Sequence, residues 1–352
     1  MILNNIGYSY RDLTIVPKEF SDITSRSECN PKLDNGYLPI FTAPMSSVVG
    51  KCNYELFDER GIIPIIPRNV PINSRLKIGL EGYWIAVSLK EFKEFFIEGL
   101  VKTPNKVCVD IANGHMRHLL DLCKRAKTVN PNLEIMLGNI ANPNTFHELT
   151  INNARFKDVS DVKLVDYIRV SIGSGAGCIT SSNTGIHYPV ASLIDECSKY
   201  KSENSPMLIA DGGIRNYDDV IKALALGADY VMIGSLFAKC IESAGEKYYK
   251  TYDGTYRLCP SPSDFYEDKI QIYTKFYGMA SADGQIAISG KKTKTAEGIT
   301  KLLEVEYELH KWVDNMQSYL RSAMSYCNSK TLEDFIGKQT LIINSNINSI
   351  NK

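Results

Sequence analysis

The chain has 352 residues, 44% hydrophobic and 23% charged, and its 40 lysines and arginines balance 40 acidic residues. This composition is typical of a globular protein with a sizeable core, and it gives no electrostatic footprint for nucleic acid, no transmembrane run and no signal peptide. Its nine cysteines are scattered singly without a CxxC pair, which predicts a cytoplasmic protein with reduced thiols rather than a disulfide framework or a zinc site.

Short β-rich runs alternate with segments of helical pattern along most of the chain. Strands are predicted at residues 38–43, 62–66, 83–87, 106–110, 134–138, 167–171, 207–211 and 229–234. Helical patterns such as 115–130 and 216–226 separate the later runs, and this spacing is that of βα repeats. Near-continuous apolar strands predict a parallel sheet buried on both faces. Eight of them predict an α/β fold of the closed (β/α)8 TIM barrel type, with an open doubly wound sheet as the alternative.

Two segments fall outside this repeat. Residues 1–37 form an N-terminal lead-in. Residues 245–300 are polar and rich in Tyr, Lys, Ser and Gly, which predicts a long mobile loop or flap. A helical pattern follows at 304–329. We therefore expect a single barrel domain over residues 1–335 and a C-terminal tail at 336–352.

The clearest chemical signal is the glycine-rich loop after the sixth predicted strand. Gly173, Gly175 and Gly177 permit a tight turn that brings backbone amides close to a ligand. Cys178 follows directly and Thr180 comes shortly after it, so the loop is a good position for a covalent nucleophile. Taken alone, the loop is equally compatible with a flexible turn and an incidental cysteine, and its glycine spacing does not match a dinucleotide fingerprint.

Polar residues also follow other predicted strands. Catalytic groups of a barrel gather at the carboxyl ends of its strands, and phosphate is often held after the seventh and eighth. Those two runs end in Asp211-Gly212-Gly213 and Gly234-Ser235. Glycine amides before helix starts suit an anion, and Asp211 suits a ribose diol. Asp110 and Asn139 end earlier runs. An ordinary strand-to-helix turn explains each segment singly, but together they predict a ring around one barrel mouth.

Further motifs make the chain resemble the family of IMP dehydrogenase and GMP reductase across roughly residues 8–335. The segments Tyr10–Pro17, Ser25–Glu28 and Ala43–Val48 are similar to the family's lead-in and first barrel loop. The resemblance implies a (β/α)8 barrel. It implies catalytic roles for Cys178, Thr180 and Glu297. It implies substrate binding by Asp211, Gly212, Gly213, Gly234, Ser235, Met279, Ala280 and Ser281, and cofactor binding by Asp110, Asn139, Gly173 and Gly175.

This resemblance distinguishes two chemistries. Dehydrogenases of the family oxidise IMP with NAD and use an Arg–Tyr pair on a flap to activate water. Between Met279 and Gly298 the chain has neither arginine nor tyrosine, and it has no room for the regulatory insert common among dehydrogenases. Residues 110–115 and 252–256 resemble the reductase version. The resemblance therefore implies NADPH-dependent reductive deamination of GMP, or a close guanine nucleotide, to IMP and ammonia through a cysteine thioimidate.

Two alternatives stay open, an IMP dehydrogenase and a non-catalytic nucleotide-binding relative. The family also suggests a homotetramer, and K⁺ is left open as an additional ligand. The sequence departs from the family at Ala176, where a serine usually helps to bind phosphate, and at Ala280–Ala282, where the reductase pattern has Ser-Ser-Glu. Because one hydrogen bond to the phosphate is missing, we expect Ala176 to weaken nucleotide binding.

Overall fold

The computed structural model describes residues 6–99 and 102–344. The strands in chain order are β1 Leu13–Ile15, β2 Ile40–Thr42, β3 Ile65–Ile66, β4 Trp84–Val87, β5 Lys106–Asp110, β6 Glu134–Ile140, β7 Tyr167–Val170, β8 Met207–Asp211, β9 Tyr230–Ile233, β10 Lys247–Lys250, β11 Tyr256–Leu258, β12 Ile272–Tyr277, β13 Thr300–Glu304 and β14 Leu341–Ile343.

The α-helices lie mostly between these strands. They are α1 Tyr54–Glu59, α2 Ile72–Leu80, α3 Leu89–Phe96, α4 His118–Val129, α5 Pro143–Ser160, α6 Thr180–Thr184, α7 Val190–Ser198, α8 Tyr217–Ala225, α9 Ser235–Ala238, α10 Pro262–Glu267, α11 Ala282–Ser289, α12 Leu309–Tyr326 and α13 Leu332–Phe335. Within the described ranges, no helix is long and apolar enough to cross a membrane.

Eight strands form one parallel sheet in the order β2-β9-β8-β7-β6-β5-β4-β3. The two ends of this sheet meet, because Phe41 of β2 pairs with Ile63 in an isolated parallel bridge. The Ile63 amide donates to the Ile40 carbonyl at 2.9 Å, and the Thr42 amide donates to the Ile63 carbonyl at 3.0 Å. The sheet is thus a closed (β/α)8 barrel, as predicted, and the open doubly wound alternative is wrong.

The closing seam is short because Pro64 lies within it. A proline has no amide hydrogen to give to a ladder, so it interrupts regular pairing. The strand accordingly resumes only at Ile65, whose amide donates to the Thr42 hydroxyl at 3.0 Å instead of to a backbone carbonyl. A side chain therefore replaces one ladder bond at the seam.

The barrel buries apolar side chains on both faces of its sheet. Inside the barrel, Phe41, Trp84, Met136, Ile209 and Met232 form one buried cluster. Outside it, the opposite faces of the strands pack on the surrounding helices in a larger cluster. Burying one such side chain contributes about 1.5–3 kcal/mol, so the barrel is a rigid support for the loops at its mouth.

The segment predicted as a long loop at 245–300 has regular structure. An antiparallel sheet in the order β11-β10-β12-β13, together with α10 and α11, forms an insertion beside the barrel mouth. In β12, buried and half-buried residues alternate strictly, which is the period of a strand with one covered face. This insertion, residues 245–304, is therefore not a structureless loop, and its mobility stays a prediction.

Two described segments, one early and one late in the chain, form a small two-stranded sheet. β1 pairs antiparallel with β14, so Leu13 lies opposite Ile343. The helix predicted at 304–329 begins only at Leu309, because Glu304 ends β13. Residues 1–5 of the predicted lead-in and 345–352 of the predicted tail lie outside the described residues. The division into a barrel at 1–335 and a tail at 336–352 stays a prediction.

Candidate active site

A cavity of about 650 Å³ opens at the carboxyl ends of the barrel strands. This volume lies within the range of small-molecule sites, roughly 300–1,000 Å³. The insertion covers one side of it. The residues predicted for a site that line this cavity are Asp110, Asn139, Gly175, Cys178, Asp211, Gly212, Gly213, Gly234, Ser235, Met279, Ala280 and Glu297. The strand ends thus share one barrel mouth, as their pattern predicted.

A chain of hydrogen bonds joins the predicted nucleophile to the predicted acid. The Cys178 thiol donates to Thr180 Oγ1 at 3.3 Å, and that hydroxyl donates to Glu297 Oε2 at 3.0 Å. A hydroxyl accepts and donates at the same time, so Thr180 forms a continuous path for a proton. Cys178 and Glu297 are half-buried at the cavity wall, whereas Thr180 stands behind them at the start of α6.

The backbone holds Glu297 beside the cysteine loop. Cys178 and Gly298 form an antiparallel bridge, in which the Ile179 amide donates to the Glu297 carbonyl at 3.1 Å and the Ile299 amide to the Gly177 carbonyl at 2.9 Å. A Cβ atom at Gly298 would lie 2.9 Å from the Gly177 carbonyl oxygen, so a larger residue does not fit there. Backbone pairing between two segments that are far apart in sequence thereby fixes the position of Glu297 relative to Cys178.

The glycine-rich loop and the loop after β8 touch each other. Gly212 and Gly213 have φ angles of 116° and 75°, which favour glycine. A Cβ atom at Gly212 would lie 2.6 Å from Ser174 Oγ and 3.3 Å from the Gly175 amide nitrogen. The two loops therefore bring their backbone amides to the same side of the cavity, an arrangement suited to an anion.

A buried arginine joins two acidic residues that line the cavity. Arg169 of β7 is 7% exposed. Its Nη2 lies 2.8 Å from Asp211 Oδ2, and its Nη1 lies 2.8 Å from Asp110 Oδ1. Asn139 Nδ2 also donates to Asp211 Oδ2 at 2.7 Å. Because these partners all use Oδ2, Asp211 keeps its other oxygen for a ligand such as a ribose hydroxyl.

The motifs did not reveal Arg169, although the sequence contained a signal for it. The arginine lies within the apolar run Tyr167–Val170, on a strand predicted to be buried on both faces. A buried charge must be paired, so an arginine at that place requires acidic partners from neighbouring strands. Asp110 and Asp211, which end two other barrel strands, meet this requirement.

His115 is a second residue whose role the motifs did not reveal. Its Nε2 accepts a hydrogen bond from the Ala141 amide at 3.0 Å, so Nδ1 carries the proton and donates to Thr145 Oγ1 at 2.9 Å. Burial lowers the pKa of this imidazole. The adjacent Gly114 amide donates to the Asn139 carbonyl at 2.8 Å. Neutral His115 therefore holds the loops after β5 and β6 together, and the predicted helix at 115–130 begins only at His118.

Two predicted ligand contacts lie outside the cavity lining. Gly173 packs against Ser181, whose hydroxyl donates to the Gly173 carbonyl at 3.1 Å. Ser281 is 1% exposed, and its hydroxyl accepts from the Gly284 amide at 3.0 Å at the start of α11. Neither residue is among those that line the cavity, and their roles in ligand binding stay predictions.

Comparisons with known proteins agree with this geometry. A family model described as an IMP dehydrogenase / GMP reductase domain matches residues 86–350. A protein named GMP reductase from Streptococcus pyogenes is 29% identical over 354 residues, which cover 97% of this chain and 96% of that protein. Proteins of the same name from Helicobacter pylori and Vibrio parahaemolyticus are 29% and 27% identical and cover 97% of this chain and 97% and 95% of their own length.

Proposed function

We propose that this chain, which belongs to the IMP dehydrogenase / GMP reductase family, converts GMP or a close guanine nucleotide to IMP and ammonia with NADPH. Its relatives named GMP reductase are similar over nearly the full length, and the chain is an oxidoreductase of that type. The observation that carries the reductase assignment is the hydrogen-bonded chain Cys178–Thr180–Glu297. It joins the nucleophile to a proton donor in an insertion that lacks the Arg–Tyr pair of a dehydrogenase.

The first step forms the thiolate. The thiol proton passes through Thr180 to the Glu297 carboxylate, along the direction in which the hydrogen bonds already point. The thiolate then attacks C2 of the guanine and forms a carbon–sulfur bond, as the π electrons of the C2–N3 double bond move to N3.

The second step releases ammonia. Glu297, now protonated, returns its proton through Thr180 to the departing 2-amino group. The C2–N bond breaks, one molecule of ammonia leaves, and the purine remains attached to Cys178 as a thioimidate. The same short path therefore serves first as base and then as acid.

The third step restores the enzyme. NADPH, when bound, supplies a hydride that reduces C2. As the carbon–sulfur bond breaks, Cys178 leaves as a thiolate and IMP is released, and the thiolate takes up one proton from solvent to restore the thiol. The sum is one GMP, one NADPH and one proton converted to IMP, ammonia and NADP⁺.

The lining of the cavity supports the proposal that a nicotinamide binds near Asp110. Leu89 and Ile111 form an apolar wall there, and Asp110 and Asn139 are the polar groups beside it. A few placed polar groups on an apolar wall are the usual way in which proteins bind a flat heterocycle. The network through Arg169 and Asp211 holds both polar side chains in place.

The test is a pair of assays on the purified chain. GMP with NADPH is expected to give IMP and ammonia with loss of nicotinamide absorbance. Turnover of IMP with NAD to XMP, in the absence of GMP reduction, would show that the chain is a dehydrogenase. Nucleotide binding without either reaction would support the non-catalytic alternative. The same preparation tests two further proposals from the resemblance, a homotetramer by light scattering and K⁺ dependence by exchange for Na⁺.

A further inference from the structure

An exposed lysine of the insertion reaches the glycine-rich loop. Lys301 lies on β13, and its Nζ donates to the Ala176 carbonyl at 3.1 Å. Ala176 is the position at which the family usually has a phosphate-binding serine. The contact therefore brings a positive charge to the backbone of the residue at which the hydroxyl is missing.

The strand register explains why this ammonium lies at the cavity. Lys301 is directly opposite Phe276 across β12 and β13. Directly opposite residues of an antiparallel pair project from the same face. Phe276 lines the cavity, and a Cβ atom at Gly177 would lie 3.3 Å from its ring. Lys301 itself is exposed and is not one of the lining residues, but its ammonium contacts the backbone of Ala176, which is one.

Lys301 is a candidate cation for a phosphate because, among the described residues, it is the one lysine or arginine that donates to the glycine-rich loop, although Lys294 also lines the cavity. A phosphate monoester carries about −1.5 to −2 charges at neutral pH. Arg169 is already paired with Asp110 and Asp211, and Lys275 is paired with Asp283 at 2.9 Å. Among the described residues, no ion pair joins Lys301 to a carboxylate. An ammonium has three donors, so the bond to Ala176 leaves two for an anion.

We infer that Lys301 binds the 5′-phosphate of the substrate nucleotide in place of the serine hydroxyl that Ala176 lacks. The inference rests on the proposed function, because it takes the bound molecule to be a purine nucleotide. The phosphate lies between the amides of Gly212, Gly213 and Gly234 and the Lys301 ammonium. Phosphate selectivity in this chain is therefore shared between the barrel and the insertion.

The experiment compares a nucleotide with its nucleoside. Dissociation constants for GMP, IMP and guanosine are measured by calorimetry on the parent chain, Lys301→Met, Lys301→Arg and a matched control, Lys292→Met, which removes another exposed lysine of the insertion. Lys301→Met is expected to weaken GMP and IMP binding by about tenfold or more, as for a lost charge-assisted hydrogen bond. Guanosine binding is expected to stay unchanged, and Lys301→Arg to keep most of the nucleotide affinity.

A serine variant tests the replacement directly. Ala176→Ser is expected to lower the nucleotide Kd in the parent, and to recover part of the lost affinity in the Lys301→Met background. Because Lys301 also touches the cysteine loop, alkylation of Cys178 by iodoacetamide is measured in each variant. The rate is expected to be the same in Lys301→Met and the parent.

Four results would overturn the inference. Equal weakening of guanosine and GMP, or a changed alkylation rate, would show that Lys301 only shapes the loop. An equal effect of Lys292→Met would show a general charge effect at the mouth. Tight nucleotide binding that does not depend on Lys301 would place the phosphate elsewhere. These measurements are of binding and do not require turnover. If the parent binds GMP without reducing it, the proposed reaction is refuted, while the binding data still decide the role of Lys301.

Discussion

The barrel and the insertion contribute two different kinds of side chain to one cavity. The barrel supplies the network of Arg169, Asp110 and Asp211, whose charges compensate one another below the mouth. The insertion supplies Glu297, which is half-buried, and Lys301, which is exposed. Both are held mainly by backbone pairing of their segments. The difference predicts that the Arg169 network is coupled to stability, whereas Glu297 and Lys301 act on chemistry and affinity with little effect on folding.

The largest effect is expected at Cys178, on the barrel side. Cys178→Ala is expected to abolish GMP reduction, a loss of about 10⁴-fold or more, because no other group forms the covalent bond. The Kd for GMP is expected to change little, since a nucleophile acts in the transition state. Calorimetry and single-turnover kinetics check both points. Normal turnover by this variant would end the covalent mechanism.

Glu297→Gln is expected to give the next largest effect, on the insertion side. Loss of the acid is expected to slow ammonia release by about 10²–10⁴-fold, the usual contribution of general acid–base catalysis. Hydride transfer to a thioimidate that has already formed is expected to suffer less. Rapid-quench measurement of ammonia and nicotinamide oxidation separates the two steps, and Thr180→Ala is expected to share the defect. If both steps slow equally, Glu297 has another role. As the control for the comparison of the two regions, Glu297→Gln is expected to unfold at the same denaturant concentration as the parent.

Arg169→Met tests the other half of the comparison. The substitution leaves Asp110 and Asp211 close together without their shared cation. Breaking a buried ion pair by removal of one partner costs about 3–5 kcal/mol. We expect a correspondingly lower free energy of unfolding in urea, whereas Lys301→Met unfolds like the parent. Equal stability of the two variants would show that the barrel network does not stabilise the fold.

The smallest effect is expected at His115, where pH is the probe. Burial lowers its pKa below the ordinary 6.5. Only the neutral ring accepts the Ala141 amide hydrogen, so the contact is complete at neutral pH and is lost as the pH falls through the lowered pKa. In the same range the unfolded chain binds the proton more readily than the folded one, so acidification below pH 6.5 also weakens folding.

Matched variants separate this contact from general acid effects. Gln at position 115 has an acceptor near the place of Nε2, whereas Asn resembles the Nδ1 side. His115→Asn is expected to raise the KM for NADPH by about two- to tenfold, the effect of one neutral hydrogen bond, and His115→Gln to stay closer to the parent. Steady-state kinetics between pH 5 and 8 is the measurement. If the parent, His115→Asn and His115→Gln lose activity identically as the pH falls, a role for His115 is excluded.

Local sequence was enough to predict the barrel strands, the glycine-rich loop and the cysteine. Each is encoded by neighbouring residues: apolar runs of strand length, glycines where the backbone must turn, and a thiol directly after them. The resemblance to the family added the catalytic roles of Thr180 and Glu297, because both residues lie in short segments that match the family's motifs. Composition misled at 245–300, where the alternation of β12 lies among polar residues typical of a loop.

Tertiary structure alone decided how distant residues meet. The bridge from Phe41 to Ile63 closed the barrel, the pairing of Cys178 with Gly298 brought Glu297 to Thr180, and the register of Phe276 with Lys301 brought a lysine to Ala176. None of these contacts follows from local pattern, because strand pairing between distant segments depends on the packing of the whole barrel and its insertion. The sequence by itself thus determined which groups are present, and folding determined which of them share one cavity.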